Sequence, residues 1–144
     1  MKMYFKRERD RDFVKAYERV MRRYGDKAPY ISRKEIVAQT ILESAPKFYI
    51  TYEMAHRNVS LILRNKPLPC NNPLKKEMYN DIAQLTLEYM RNYKKQNVDF
   101  NEALISVLSG FPAPRFYINE TSANSLICKL QRSGQQKHRN KQCK

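Results

Sequence analysis

The sequence contains no tryptophan, only three glycines and only three cysteines in 144 residues. So few glycines, beside seven prolines, exclude collagen-like and low-complexity classes. The apolar runs are short, as at Leu61–Leu63, whereas a membrane-spanning helix needs about 20 apolar residues. The first twelve residues are too charged for the apolar core of a signal peptide. We therefore expect a cytoplasmic protein with no membrane partner.

Metal and disulfide chemistry would have few residues to use. The cysteines are Cys70, Cys128 and Cys143, the histidines are His56 and His138, and neither a CxxC nor an HxxxH spacing occurs. Zinc sites need such ligands at close spacing, and disulfide frameworks need a dense, paired set of cysteines. We expect reduced thiols, no metal and no cofactor.

Positive charge is what the sequence has in excess. It carries 28 Lys and Arg against 14 Asp and Glu, a formal net charge of +14. Hydrophobic residues make up 42% of the chain, enough for a modest core, so the charge does not imply disorder throughout. A strongly basic protein attracts polyanions, and phosphate backbones above all. An acidic protein partner would also fit this charge.

Two similar heptapeptides occur in the chain, with five of seven residues identical. Residues 45–51 read Ala-Pro-Lys-Phe-Tyr-Ile-Thr, and residues 113–119, which begin 68 positions later, read Ala-Pro-Arg-Phe-Tyr-Ile-Asn. Upstream, 32–35 and 99–102 each begin with a helix-capping residue and have Glu three positions on, the capping-box pattern. The similarity predicts two tandem units of like structure.

Apolar spacing predicts three helices in each unit. They run over 10–24, 33–44 and 52–65 in the first unit, and over 75–95, 100–109 and 120–132 in the second. Proline at 46 and 114 ends the second helix of each unit, and Phe-Tyr-Ile favours an extended strand. The predicted fold is mainly α, with two helix-turn-helix-like units, and the two strands could pair as an antiparallel ribbon about a pseudo-twofold axis.

These patterns also predict domain boundaries. The first unit covers 1–66, a Pro-rich linker covers 67–76, and the second unit covers 77–130. Residues 131–144 hold five Lys or Arg, no acid and almost no apolar residue, which predicts a disordered basic tail. Sequence alone leaves open whether the units pack together and whether the chain is oligomeric.

Catalytic motifs are missing from the sequence. It has no Gly-rich phosphate loop, no GxSxG and no HExxH. A metal-dependent nuclease would require carboxylates that converge in the fold, such as Glu35, Glu53 and Asp81. We expect that the protein is not an enzyme.

Nucleic-acid binding fits the pattern better. In a three-helix DNA-binding layout, helix 33–44 supports helix 52–65, whose polar side chains can read base edges. In the repeated motif, Phe48, Ile50, Phe116 and Ile118 are interpreted as core, whereas the intervening tyrosines and the adjacent cations are open as ligand contacts. The predicted nucleic-acid-binding residues are Arg22, Arg23, Arg33, Lys34, Lys47, Tyr49, His56, Arg57, Asn58, Ser60, Arg64, Lys66, Arg115 and Tyr117.

The third helix of the first unit is more basic than that of the second, so we expect the first unit and the two termini to dominate binding.

The segment Pro-Ala-Pro-Arg-Phe-Tyr-Ile at 112–118, followed by a polar cap and a helix, resembles a pattern found in small basic proteins of bacterial phages and mobile elements. The first copy departs from that pattern, with Ser44 where Pro112 stands. The resemblance implies a DNA-associated role and carries no catalytic residue.

The predicted function is non-catalytic nucleic-acid binding, with duplex DNA favoured over RNA, in a regulator or accessory protein of a phage or mobile element. The alternative is a protein-interaction adaptor that binds an acidic partner.

Overall fold

Residues 5–142 form six α-helices. The computed structural model describes the backbone of residues 5–142 and the side chains of residues 5–131. The helices are α1 (Lys6–Tyr24), α2 (Arg33–Ile41), α3 (Tyr52–Leu63), α4 (Pro73–Asn92), α5 (Phe100–Gly110) and α6 (Glu120–Gln142). Two 3-10 turns follow α1 and α4, at Gly25–Tyr30 and Lys94–Gln96. Within the described residues, no helix is long and apolar enough to cross a membrane.

The helices begin where the sequence supplies caps. The side chains of Ser32, Thr51 and Asp99 each accept a hydrogen bond from the backbone N–H three residues on. Asn119 does the same for the first turn of α6. These bonds satisfy N–H groups that have no partner within the helix. At its other end α1 stops at Gly25, whose φ of 56° suits glycine better than residues with a side chain.

The start of α4 differs from the predicted linker. Pro73, which was assigned to the linker at 67–76, is the first residue of the helix. Asn72 caps it by accepting from the backbone N–H groups of Leu74 and Lys75. A proline in the first turn loses no helical hydrogen bond, so its presence did not exclude a helix there.

The end of the chain also differs from the prediction. The backbone of α6 is helical to Gln142, beyond the predicted start of a disordered tail at 131. Gln, Lys and Arg are good helix formers, so this segment extends α6 without an apolar stripe of its own. The side chains of residues 132–144 lie outside the described part of the structure.

The two Phe-Tyr-Ile strands are not formed: residues 5–142 contain an isolated antiparallel bridge between Ala45 and Ala113 and no strand. The N–H of each alanine donates to the carbonyl of the other, at 3.0 and 2.9 Å. A ladder cannot continue through the prolines that follow, because proline has no N–H. The N–H of Phe116 instead donates to the carbonyl of Ile41, at the end of α2.

The two predicted units do not pack as separate three-helix bundles. Helix α3 lies against α4 and α5, and α6 lies against α2, so each third helix contacts the opposite half of the chain. One hydrophobic core includes residues of both halves. At its centre Phe13 meets Phe116 edge to face, with 5.3 Å between ring centroids, and both side chains are fully buried. The predicted support of α3 by α2 is therefore wrong.

Candidate functional site

One open groove follows the exposed face of α3. We name it the α3 groove; it is lined by Tyr52, Glu53, His56, Arg57, Ser60 and Leu61 of α3, by Arg64, which caps the end of that helix, and by Asn101 from the first turn of α5. The opposite face of α3 is buried through Ala55 and Val59. Burial of that face fixes which α3 side chains point outward, because residues three and four apart share one side of a helix.

Contacts with α5 position the groove side chains at the N-terminal end of α3. The amide oxygen of Asn101 accepts a hydrogen bond from the Tyr52 hydroxyl at 3.2 Å. The same oxygen lies 3.0 Å from Nε2 of His56. The His56 ring sits between Tyr52 and Phe100, with centroid distances of 5.5 and 5.3 Å. His56 is thereby oriented by α5, although part of its surface remains accessible.

Two arginines supply positive charge to the α3 groove. Arg57 on α3 and Arg64 at the C-cap of α3 are exposed, and both line the groove. Neither forms an ion pair with a carboxylate of the described residues. Ser60 lies between them, half-buried. Both guanidinium groups are therefore available to an anion without first breaking an internal contact.

A second groove lies between α2 and α6. We name it the α6 groove; it is lined by Ser32, Arg33 and Lys34 at the start of α2 and by Thr121, Asn124, Ser125, Cys128 and Lys129 of α6. Nη1 of Arg33 donates a hydrogen bond of 2.8 Å to Oε1 of Gln131. Sequence reasoning grouped Arg33 and Lys34 with Arg57, but the structure places them in a different groove from α3.

Asn58 was predicted among the exposed positions of α3, and this is wrong. Only 3% of its surface is accessible, and its amide nitrogen donates to the carbonyl of Met54 at 2.9 Å. Its Oδ1 is buried without a hydrogen-bond partner among the described residues. The side chain falls on the buried stripe with Ala55 and Val59, so it faces the interior.

The repeated motif forms internal contacts instead of an open surface. Tyr49 donates a hydrogen bond to Oδ2 of Asp12 at 2.6 Å, and Tyr117 donates to Oδ2 of Asp81 at 2.5 Å. Burial is the main cause that raises the pKa of each tyrosine, and the neighbouring aspartate raises it further.

The aromatic rings of the two motif copies stack across the molecule. Phe48 stacks on Tyr117 at 6.1 Å between centroids, and Tyr49 stacks on Phe116 at 6.4 Å. Phe48, Phe116 and Ile118 are buried, as predicted for core, and Ile50 is half-buried.

Several predicted cations are held by carboxylates. Nζ of Lys47 lies 3.5 Å from Glu8, and Nη1 of Arg115 lies 3.5 Å from Glu77. Arg23 forms an ion pair with Glu43. The two other predicted cations, Arg22 on α1 and Lys66 beyond α3, are exposed and lie in neither groove.

Sequence reasoning missed the neutral residues that complete the grooves. In the sequence, Asn101 reads only as part of a capping box, and no pattern marks Tyr52 as a ligand contact. The spacing of Tyr52 and His56, four residues apart on one helix, was the available signal for their shared face. No local pattern could show that Asn101 reaches them, because it comes from the other half of the chain.

The carboxylates considered for metal-dependent cleavage do not assemble. Glu35, Glu53 and Asp81 lie on α2, α3 and α4, and Asp81 accepts a hydrogen bond from Tyr117. In the described part of the chain, no three His, Cys, Asp or Glu side chains are grouped so that they could hold a metal ion.

A comparison of this chain with protein-family models, curated proteins and solved structures found no match.

Proposed function

We propose that the protein is a non-catalytic nucleic-acid-binding protein that contacts duplex DNA through the α3 groove. The observation that carries this proposal is the pair Arg57, on α3, and Arg64, which caps the end of α3. Both are exposed, and neither has a carboxylate partner in the described residues. A helix with one exposed polar face fits the width of the major groove. Arginine is well suited to phosphate oxygens and to guanine edges.

The remaining groove residues suit the same ligand. Ser60 supplies a hydroxyl between the arginines, and His56 presents a ring held in place by Asn101. Such neutral polar groups make hydrogen bonds to phosphate or to base edges. Glu53 is the single acid among the groove-lining residues.

The whole chain favours association with a polyanion. Its formal net charge of +14 attracts phosphate at long range, independently of base sequence. The resemblance of 112–118 to proteins of phages and mobile elements supports a regulator or accessory protein of such an element. An acidic protein partner is the competing explanation of the charge. Competition by polyglutamate and by unlabelled DNA distinguishes an acidic protein from DNA as the ligand.

We further propose that the two halves are related by an approximate twofold axis near Ala45 and Ala113. Equivalent positions of the repeat make equivalent contacts: the tyrosine–aspartate bonds of Tyr49 and Tyr117 are one case. The ion pairs of Lys47 and Arg115 with glutamates are another. Contact of each third helix with the opposite half is expected of such an arrangement.

The test is a salt titration of binding to a random-sequence duplex, with fluorescence anisotropy as the readout. The variant R57A/R64A removes two cations from the α3 groove, and K94A/K95A removes two exposed cations from the 3-10 turn after α4, outside both grooves. We expect R57A/R64A to weaken binding and to reduce the slope of log K against log salt by about 1.8, since each phosphate contact contributes about 0.9. K94A/K95A should change the slope much less.

Two results would overturn the proposal. One is equal behaviour of R57A/R64A and K94A/K95A, which would mean that the arginines act only through net charge. The other is displacement of the duplex by polyglutamate as effectively as by unlabelled DNA, which would favour an acidic protein partner.

A further inference from the structure

The α6 groove occupies the position in one half of the chain that the α3 groove occupies in the other. Each groove is made of the exposed face of a third helix and the first turn of the second helix of the opposite half. With the repeat aligned, His56 and Arg57 of α3 correspond to Asn124 and Ser125 of α6. Both of these α6 residues line the α6 groove.

The equivalence extends to the second wall of each groove. Asn101 of α5 corresponds to Lys34 of α2, because both are the third residue of a capping box. Asn101 lines the α3 groove and Lys34 lines the α6 groove. The grooves are therefore built from the same structural positions, although their side chains differ.

The α6 groove is the more cationic of the two. Arg33, Lys34 and Lys129 line it, and no acidic residue does. The α3 groove offers Arg57 and Arg64 with Glu53 beside them. Two of these three cations, Arg33 and Lys34, come from α2, which is distant from α6 in the chain, so the sequence of α6 alone does not show the charge of the groove.

The other lining residues of the α6 groove are suited to phosphate. Ser32, Thr121 and Ser125 carry hydroxyls, and Asn124 carries an amide, all able to donate to phosphate oxygens. Lys34 and Lys129 are exposed, and neither forms an ion pair with a carboxylate of residues 5–131. Arg33 is positioned by its bond to Gln131.

We infer that the α6 groove is a second binding site for the phosphate backbone of duplex DNA, so that one chain contacts DNA through two grooves. This inference rests on the proposed function, since it assigns the same ligand to both grooves. It adds Lys129 of the second half to a set of cations that otherwise comes from the first half, namely Arg33, Lys34, Arg57 and Arg64.

The experiment compares K34A/K129A, R57A/R64A, the quadruple variant and the control K94A/K95A in the full chain. Each double variant removes two exposed cations, so all three have the same net charge. We expect K34A/K129A to reduce the salt slope by about 1.8, and the quadruple variant by about twice that.

The outcomes separate the two proposals. If K34A/K129A behaves as K94A/K95A while R57A/R64A weakens binding, the second site is wrong and the proposed function stands. If only K34A/K129A weakens binding, DNA is bound through the α6 groove alone and the proposed α3 interface is wrong. If all three double variants behave alike, neither groove binds DNA specifically, and both proposals are overturned.

Discussion

The hydroxyl of Tyr49 donates a hydrogen bond of 2.6 Å to Oδ2 of Asp12, which joins the segment before α3 to helix α1. Tyr117 and Asp81 make the same bond in the second half of the chain. Both tyrosines are partly buried, and each stacks on a phenylalanine of the other motif copy. The two tyrosines, which the sequence leaves open as ligand contacts, therefore anchor the loops to the helices.

Removal of either hydroxyl should lower stability. We expect Tyr49→Phe and Tyr117→Phe each to reduce the free energy of unfolding by about 1.5 to 3 kcal/mol, because each leaves a partly buried carboxylate without its donor. Urea denaturation measures the change. Tyr30→Phe is the matched control, since Tyr30 is 89% exposed and should tolerate the same loss. Equal stability of all three variants would show that the bonds to aspartate contribute nothing.

Stability should also fall in alkaline solution. Burial, and then the adjacent aspartate, raises the pKa of Tyr49 and Tyr117 above the ordinary value of about 10. The unfolded chain loses these protons near pH 10, whereas the folded chain keeps them. Their contribution is complete below that pH and decreases as the pH rises above it. Urea denaturation at several pH values should show a shallower alkaline decline for Y49F/Y117F than for the wild-type chain.

Asn58 should prove to be an interior residue. We expect Asn58→Leu to leave stability unchanged or to raise it by about 1 kcal/mol, because it removes a buried oxygen that has no partner among the described residues. The equivalent position of the repeat already holds Leu126. Asn58→Asp, which adds a buried charge at similar volume, should destabilise the fold. A folded Asn58→Leu variant that loses DNA affinity alone would contradict the interior role.

The two halves should not fold independently. We expect the fragment 1–66 to lack a stable monomeric fold, because α3 would lose its packing against α4 and α5. The fragment 67–144 should be similarly unstable, since α6 would lose α2. An equimolar mixture should recover helical circular dichroism by association of the two pieces. Cooperative unfolding of either fragment as a monomer would support the separate units 1–66 and 77–130 that the sequence predicts.

Helices and caps were predictable because their signals are local. Ser32 and Asp99 are each followed three residues later by Glu, and both cap helices as predicted. Val59 and Ile127 are buried, as the spacing of apolar residues predicts. The prediction of two strands from Phe-Tyr-Ile was wrong within residues 5–142, since tertiary hydrogen bonds and proline outweigh local strand preference.

The makeup of the grooves could not be read from the sequence, because each groove combines residues of both halves. Lys34 and Arg57 are 23 positions apart and looked like parts of one site, yet they line different grooves. Asn58 looked like a polar contact of α3, but helix rotation against α4 and α5 decides which residues face inward. That rotation depends on long-range packing, which the sequence of α3 does not contain.

The two grooves are lined by different side chains, so the two halves of the molecule present chemically different surfaces. One groove carries the aromatic rings of Tyr52 and His56, and the other carries Lys34 and Lys129. A dimer of identical chains meets both ends of its site with the same side chains, so its two orientations on DNA are indistinguishable. In this chain a mutation alters one groove and leaves the other as it was. A duplex held by both grooves would therefore have a head and a tail, and a neighbouring protein could be recruited to one side only.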